Sequence, residues 1–423
     1  MFKISGVIKN FFIYSFGSVF QKGISIFIAP IVMRLLTPAD YGLLSLATSF
    51  ISILATVAGL GMRQLLSIEY FHCDVDGRQK IVNDIISVYS FLMIPFFILL
   101  FFCMPLINKY FFVGQAFNFL IFIVLLVSFL HFFIDLFYQI LQYQGKSIRL
   151  TVIQTVSAIL LFSLNLLFLY CFGWGVSGVF VSRFVSMWFV LLFGIYFYVS
   201  QLYHVNLKFT SSIQKGFWYV KKGLPFVPRV LFGWILAVGD RWILAKYSTM
   251  QNVGIYSVAD LFGQVFHLVI IIPISYAYLP YLLEKFAANK KNLLSIEFWN
   301  QRNMICVMVF MFLFVTVGYI VCKPLAFWII PSKYHSAIGY VWLLLIGYVF
   351  LLGSYFASAF LHFQKRVWFL LLSLFLSAML NIVLNILLIG YLQILGCVVA
   401  TLVSYLFYFG ITVVYNVYRR KFV

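Results

Sequence analysis

Residues 37–47, TPADYGLLSLA, return as residues 249–259, TMQNVGIYSVA. Thr37, Gly42, Ser45 and Ala47 keep their spacing as Thr249, Gly254, Ser257 and Ala259, a shift of 249 − 37 = 212 in a chain of 423 residues. Two further echoes lie downstream. Ser157-Ala158 with Leu164-Asn165 returns as Ser377-Ala378 with Leu384-Asn385 (shift 220), and Gly178 with Val185-Ser186 as Gly396 with Val403-Ser404 (shift 218). Three ordered matches at nearly one shift describe a duplicated chain. In an apolar sequence, duplication points to transporters that rock two halves around a site.

The chain is apolar enough for that reading. With 64% hydrophobic and 9% charged residues and a mean hydropathy of +1.06, too little polar surface remains to cover a water-soluble fold. Runs long enough to cross a hydrocarbon core recur from end to end. They predict an all-α polytopic membrane protein of about twelve spans, the first near 10–35 and the last near 394–417. The first span runs into the second without a small-residue cleavage site, so no removable signal peptide is expected. The six cysteines show neither CxxC nor metal-ligand spacing and read as small apolar residues.

The net charge of +19 invites a nucleic-acid partner, but its distribution argues against one. An even number of spans puts both termini on one side. That side receives 19 of the 29 cations, the other side 5, and 5 fall inside spans. By the positive-inside rule both termini are cytoplasmic. Six spans per half give two copies of one orientation, a parallel repeat around a central cavity: a bundle over 1–205, a polar cytoplasmic linker over 206–216 and a second bundle over 217–423.

No catalytic constellation is present: there is no GxSxG, HExxH or phosphate-cradling GxxxxGK[ST]. Polar stripes on greasy helices stand out instead. Ser257, Asp260, Gln264 and His267 share one helical face, and a shift of 212 lands on Ser45, Thr48, Ser52 and Ala55. Ser15, Ser18, Lys22 and Ser25 form a stripe in the first span; Arg229, Gly233 and Asp240 one in the seventh; Ser128, His131, Asp135 and Gln142 one in the fourth. Hydroxyl stripes alone would serve interhelical hydrogen bonding. Those carrying ionisable groups are expected to face a wet cavity. Pro30, Pro225, Pro228 and Pro273 interrupt the same helices, with Gly61 in register with Pro273.

Inside the spans, the cations Lys22, Arg63, Arg183, Arg229 and Arg241 face the acids Asp135, Asp240 and Asp260. Each ionised group at mid-bilayer costs about 2.5–3.5 kcal/mol on insertion scales, so an unpaired cation there needs a reason. Arg63 and Arg241 lie near span ends, where snorkelling accounts for them, and Asp240 beside Arg241 reads as a structural pair. Lys22 lies 13 residues past Lys9, about 20 Å of helix, and Arg229 lies 7 past Lys222, roughly 10 Å. Neither reaches an interface easily. Cations in a wet cavity suit phosphate or pyrophosphate. The substrate-binding candidates are therefore Lys22 and Arg229, then Arg183, Arg63 and Arg241. With no nucleotide-binding motif and no cofactor expected, uphill transport would draw on H⁺ or Na⁺. Asp135, Asp260 and His131 are the coupling candidates, with Asp240 and His267 beside them. The alternative for these acids is that they balance Arg183, Arg229 or Arg241.

Residues 36–42 (LTPADYG), with Gly239-Asp240-Arg241 followed by residues 253–259 (VGIYSVA), resemble the Wzx-type polysaccharide flippases, bacterial O-antigen and capsule exporters of the multidrug/oligosaccharidyl-lipid/polysaccharide superfamily. The resemblance extends to length, span number and repeat. It implies an undecaprenyl-pyrophosphate-linked oligosaccharide as substrate, moved across the bacterial inner membrane by alternating access. It also implies a monomer among membrane lipids, in contact with the polysaccharide polymerase and chain-length proteins. A drug antiporter of the same superfamily needs an acidic cavity, whereas the excess inside the spans is basic. A glycan polymerase or ligase needs a sizeable external loop, which this chain lacks.

Overall fold

A computed structural model describes residues 28–114, 116–201, 213–289 and 292–419; Lys22 and most of the expected first span lie outside the described residues. Among the described residues the protein is helical and without strands. After a helical stretch over 28–35 come α1 (Pro38–Ala58), α2 (Met62–Glu69), α3 (Val75–Phe102), α4 (Met104–Phe111), α5 (Asn118–Tyr143), α6 (Ser147–Leu166) and α7 (Gly175–Gln201). They are followed by α8 (Ile213–Gly223), α9 (Val227–Val238), α10 (Asp240–Tyr247), α11 (Met250–Phe266) and α12 (Ile272–Ala288). The last four are α13 (Leu293–Ile329), α14 (Ile338–Phe363), α15 (Val367–Leu392) and α16 (Ile394–Arg419). Ten described helical stretches are long and apolar enough to cross a membrane, or eleven with Phe217–Val238 and Asp240–Tyr247 as one span bent by 49°. The protein is a multi-pass membrane protein. In α13 only 6% of the apolar window is buried in protein, and an apolar helix this bare is at home only in lipid.

The repeated threonine is a helix cap in both copies. Thr37 Oγ1 accepts from the Asp40 N–H at 3.1 Å, and Asp40 Oδ2 accepts from the Thr37 N–H at 3.2 Å, a reciprocal box with Pro38 at the first helical position. Thr249 caps α11 by accepting from the Asn252 N–H at 3.2 Å. The repeated glycine has its own cause. A Cβ on Gly254 would lie 1.9 Å from the Pro38 carbonyl oxygen, and one on Gly42 2.2 Å from that of Met250. The starts of α1 and α11 therefore cross backbone against backbone, which only glycine permits.

The breaks follow the sequence punctuation. Between α1 and α2 the chain turns at Leu60 and Gly61, both with positive φ. Pro225 lies within a 3₁₀ turn over Leu224–Phe226 between α8 and α9, and Pro228 is the second residue of α9. A π segment, His267–Ile271, precedes Pro273 at the head of α12; the missing proline N–H and the wider π turn relieve each other.

Contacts divide the chain into two compact units, one with Leu46–Leu231, the other with Thr37–Ser45 and the chain from Phe232 onward. The division falls beyond the expected linker because α8 is tied to the first unit. Tyr219 Oη donates to Asp84 Oδ2 at 3.1 Å, and Lys222 Nζ lies 3.0 Å from Glu69 Oε1. Gly223 meets Gly61 so closely that a Cβ on Gly61 would lie 2.0 Å from the Gly223 oxygen. The first unit packs Ile134 and Leu141 of α5 against Leu150, Ile153 and Val190. The core of the second gathers on Tyr348, Leu352 and Phe356 of α14.

Candidate functional site

In the first unit, a cavity of about 240 Å³ is lined by Ser52, Thr56, Arg63, Gln64, His131 and Asp135, with Phe132, Val227 and Val230 among its apolar walls. Arg63, at the first turn of α2, reaches α5, where its Nη1 lies 2.5 Å from Asp135 Oδ2. His131 sits one turn before Asp135, Nδ1 to Oδ1 3.5 Å. Gln139 Nε2, a further turn on, donates to the Arg63 carbonyl at 3.0 Å and holds α2 against α5. The side chains of Arg63 and Asp135 are 42% and 26% exposed, so this ion pair is open to whatever enters. Arg63 is thus no snorkelling cation: it points inward because an acid on α5 compensates it. The expected pairing of His131 with Asp135 is present, with Arg63 as a third member.

Arg229 is exposed on α9, between the cavity-lining Val227 and Val230, and makes no salt bridge among the described residues. Arg183 on α7 is half-buried with its guanidinium 5.6 Å from the Phe180 ring centre, and likewise has no described salt bridge. Neither acts as counterion to Asp135, Asp240 or Asp260. Lys22 lies outside the described residues.

The second unit buries a different network. Arg241 Nη2 lies 2.5 Å from Asp260 Oδ2, with side chains only 7% and 3% exposed. Asp260 also accepts from Gln264 Nε2 at 2.8 Å and Tyr348 Oη at 3.0 Å. Tyr348 can lie there because Gly263 has no side chain: a Cβ would fall 2.0 Å from the ring. Asp240 is bound otherwise than its neighbour suggests. Its carboxylate takes the Arg241 backbone N–H at 2.8 Å, the Tyr256 hydroxyl and Thr401 Oγ1 at 3.2 Å. The guanidinium that adjacency would assign to Asp240 goes to Asp260, since successive helical residues point about 100° apart. The buried site thus holds two carboxylates and one guanidinium, the guanidinium paired with Asp260 and Asp240 held by hydroxyls and a backbone N–H. His267, on the Asp260 stripe, lies 6.2 Å from the Tyr348 ring and is not among the partners of Asp260.

The two polar sites are not copies of each other. A shift of 212 carries Arg63 to Ser275, and a shift of 220 carries Asp135 to Tyr355. Residues absent from the sequence expectation complete the picture: Tyr256, Tyr348 and Thr401 in the second unit, and Glu297 of α13. Fully buried Glu297 accepts from Asn416 Nδ2 at 2.8 Å, Asn300 Nδ2 at 3.1 Å and Gln301 Nε2 at 3.2 Å. Its signal in the sequence was an acid with amides three and four residues on.

The sequence has relatives among known families. It matches the family described as polysaccharide biosynthesis protein over residues 7–286, about two thirds of the chain. The chain belongs to that family. No curated protein matches it. Among solved structures this family member is similar to the lipid II flippase MurJ in an inward closed conformation (16% identity, 96% of this chain and 87% of that one, TM-score 0.75). It is also similar to a multidrug resistance MATE family transporter of the MOP superfamily in an inward-facing conformation (15%, 96% and 94%, TM-score 0.73). A third likeness is to a MOP superfamily transporter from Pyrococcus furiosus with a binding pocket of reverse polarity (15%, 98% and 95%, TM-score 0.64). At such identities the likeness establishes the fold: the polysaccharide biosynthesis family member has the architecture of the MOP transporters.

Proposed function

We propose that this protein is a flippase that carries an undecaprenyl-pyrophosphate-linked oligosaccharide, an O-antigen or capsule repeat unit, across the bacterial inner membrane by alternating access. The observation that carries the reading is the open ion pair of Arg63 and Asp135 in a polar cavity walled by membrane helices, in a chain of the polysaccharide biosynthesis family. Lipid provides no reason to keep such a pair half-open; a polar cargo does. The likeness to a lipid II flippase supports a lipid-linked cargo. Arg229 and Lys22 would attract the pyrophosphate, with Arg183 in a lesser role, while the lipid tail stays in the bilayer. The termini are cytoplasmic, and the protein works as a monomer beside the polysaccharide polymerase and chain-length proteins.

Coupling fits the second unit. Asp240 and Asp260 set two negative charges against the one positive charge of Arg241, and a proton or Na⁺ would complete the balance. His131 and Asp135 offer a second place for a proton. The same acid excess, with the likeness to a multidrug transporter, favours a second reading, a cation-coupled small-molecule antiporter.

Deleting the gene separates the two. The flippase reading expects loss of surface polysaccharide and accumulation of the lipid-linked repeat unit on the cytoplasmic leaflet, with drug susceptibility unchanged. Intact polysaccharide together with raised drug susceptibility would give the protein to the antiporters.

A further inference from the structure

We infer that α8 is a hinged strap at the edge of the first unit's cavity, tied shut by Tyr219–Asp84 and Lys222–Glu69, and that it must swing away from α2 and α3 before cargo reaches Arg63 and Asp135. The inference rests on the flippase reading and adds the element that admits the cargo.

Gly61 lines the cavity, and it is also where α8 meets α2. A Cβ on Gly61 would lie 2.0 Å from the Gly223 oxygen, and one on Gly223 2.4 Å from the Leu60 oxygen. Backbone rests on backbone here. Interlocked side chains make a packed core resist deformation, whereas two glycine surfaces part without forcing any rotamer. Four residues past Gly223, Val227 lines the same cavity. Parting the two glycines therefore opens the cavity along the edge between Gly61 and Val227.

Both helices are hinged at this point. α1 gives way to α2 at Leu60 and Gly61, with φ of 46° and 68°. α8 gives way to α9 through the 3₁₀ turn Leu224–Phe226, and Pro225 and Pro228 each withhold an N–H from the helical ladder there. Of the two, α2 is the fixed one. Arg63 is bound to Asp135 of α5, and Gln139 of α5 holds the Arg63 carbonyl. That leaves α8 to move.

The ties suit a strap that opens. Lys222 Nζ lies 3.0 Å from Glu69 Oε1, with side chains 45% and 27% exposed, and an ion pair this open to water is weak. Lys222 Nζ also lies 4.0 Å from the centre of the Trp218 ring, so on leaving Glu69 it keeps a partner on its own helix. Tyr219 reaches from α8 to Asp84 of α3, Oη to Oδ2 3.1 Å, and its buried ring fixes where the strap lands.

The test has two arms, both on the full-length protein. In detergent, a polar methanethiosulfonate is applied to a Gln64→Cys variant, and modification at position 64 is followed by mass spectrometry. Adding Tyr219→Phe and Lys222→Gln together should raise its rate at least fivefold. Tyr219→Phe alone, which keeps the ring and its packing, should raise it severalfold. Unchanged rates, even with a lowered melting temperature, would make the ties structural and overturn the strap. In vesicles, Glu69→Cys and Lys222→Cys are joined by a cleavable bismaleimide. Flipping of a lipid-linked glycan should fall at least tenfold when the two positions are joined and recover on cleavage. Undiminished flipping in the joined protein overturns the strap and leaves the function. No flipping before joining, with the thiol at position 64 still responding to the untied variants, removes the function and leaves the strap.

Discussion

Ser257 Oγ donates to Ser45 Oγ at 2.8 Å, and the two serines are the same residue of a duplicated sequence, 212 positions apart. Three residues before each, Gly42 and Gly254 bring the starts of α1 and α11 together. The repeat that reveals itself in the sequence thus meets itself in the fold.

Gly254→Ala should therefore be costly although it adds one methyl group. The Cβ would fall 1.9 Å from the Pro38 oxygen, and overpacking of this kind costs about 1–3 kcal/mol. A lowered melting temperature of the purified protein checks it; an unchanged one would mean the crossing is not tight.

The buried pair predicts an asymmetry. Arg241→Gln leaves Asp260 without its counterion at 3% exposure, and breaking a buried pair costs about 3–5 kcal/mol. Tyr348→Phe removes one hydrogen bond to the same carboxylate, about 1–3 kcal/mol. Melting temperatures should fall further for Arg241→Gln. Equal losses would show that water reaches Asp260 and screens it.

Much of this was legible beforehand, because caps, punctuation and hydropathy are local. Thr37 and Thr249 announce helix starts from their own neighbours, and Pro225 with Pro228 announces the broken span. The ion pairs were not legible. Arg63 and Asp135 are 72 residues apart, and nothing near Arg63 says that an acid will face it; from the sequence alone its place near a span end suits snorkelling. Adjacency misled at Asp240 and Arg241, since neighbouring residues of a helix point apart. Glu297 escaped because amides on its own helix and on α16 are among its partners.

Topology is open to a direct check. The tally of 19 cations against 5 predicts Asp40 in the periplasm and Cys73 in the cytoplasm. Reporter fusions should report those sides. Labelling of Cys73 by an impermeant thiol reagent in intact spheroplasts would reverse the orientation.

Coupling makes a separate prediction. In reconstituted vesicles, Asp240→Asn or Asp260→Asn should remove the dependence of flipping on an imposed pH or Na⁺ gradient and leave substrate binding largely intact. Gradient-driven flipping in both variants would make these acids structural.

The most direct measurement is translocation itself. Vesicles containing the protein and an undecaprenyl-pyrophosphate-linked repeat unit from the native host would be followed by the access of a glycan-oxidising reagent to each leaflet. The account predicts that the glycan crosses with wild-type protein, and that Arg63→Gln and Arg229→Gln, inserted at normal level, each slow it at least tenfold. Crossing at the same rate in protein-free vesicles, or undiminished crossing in both variants, would contradict it.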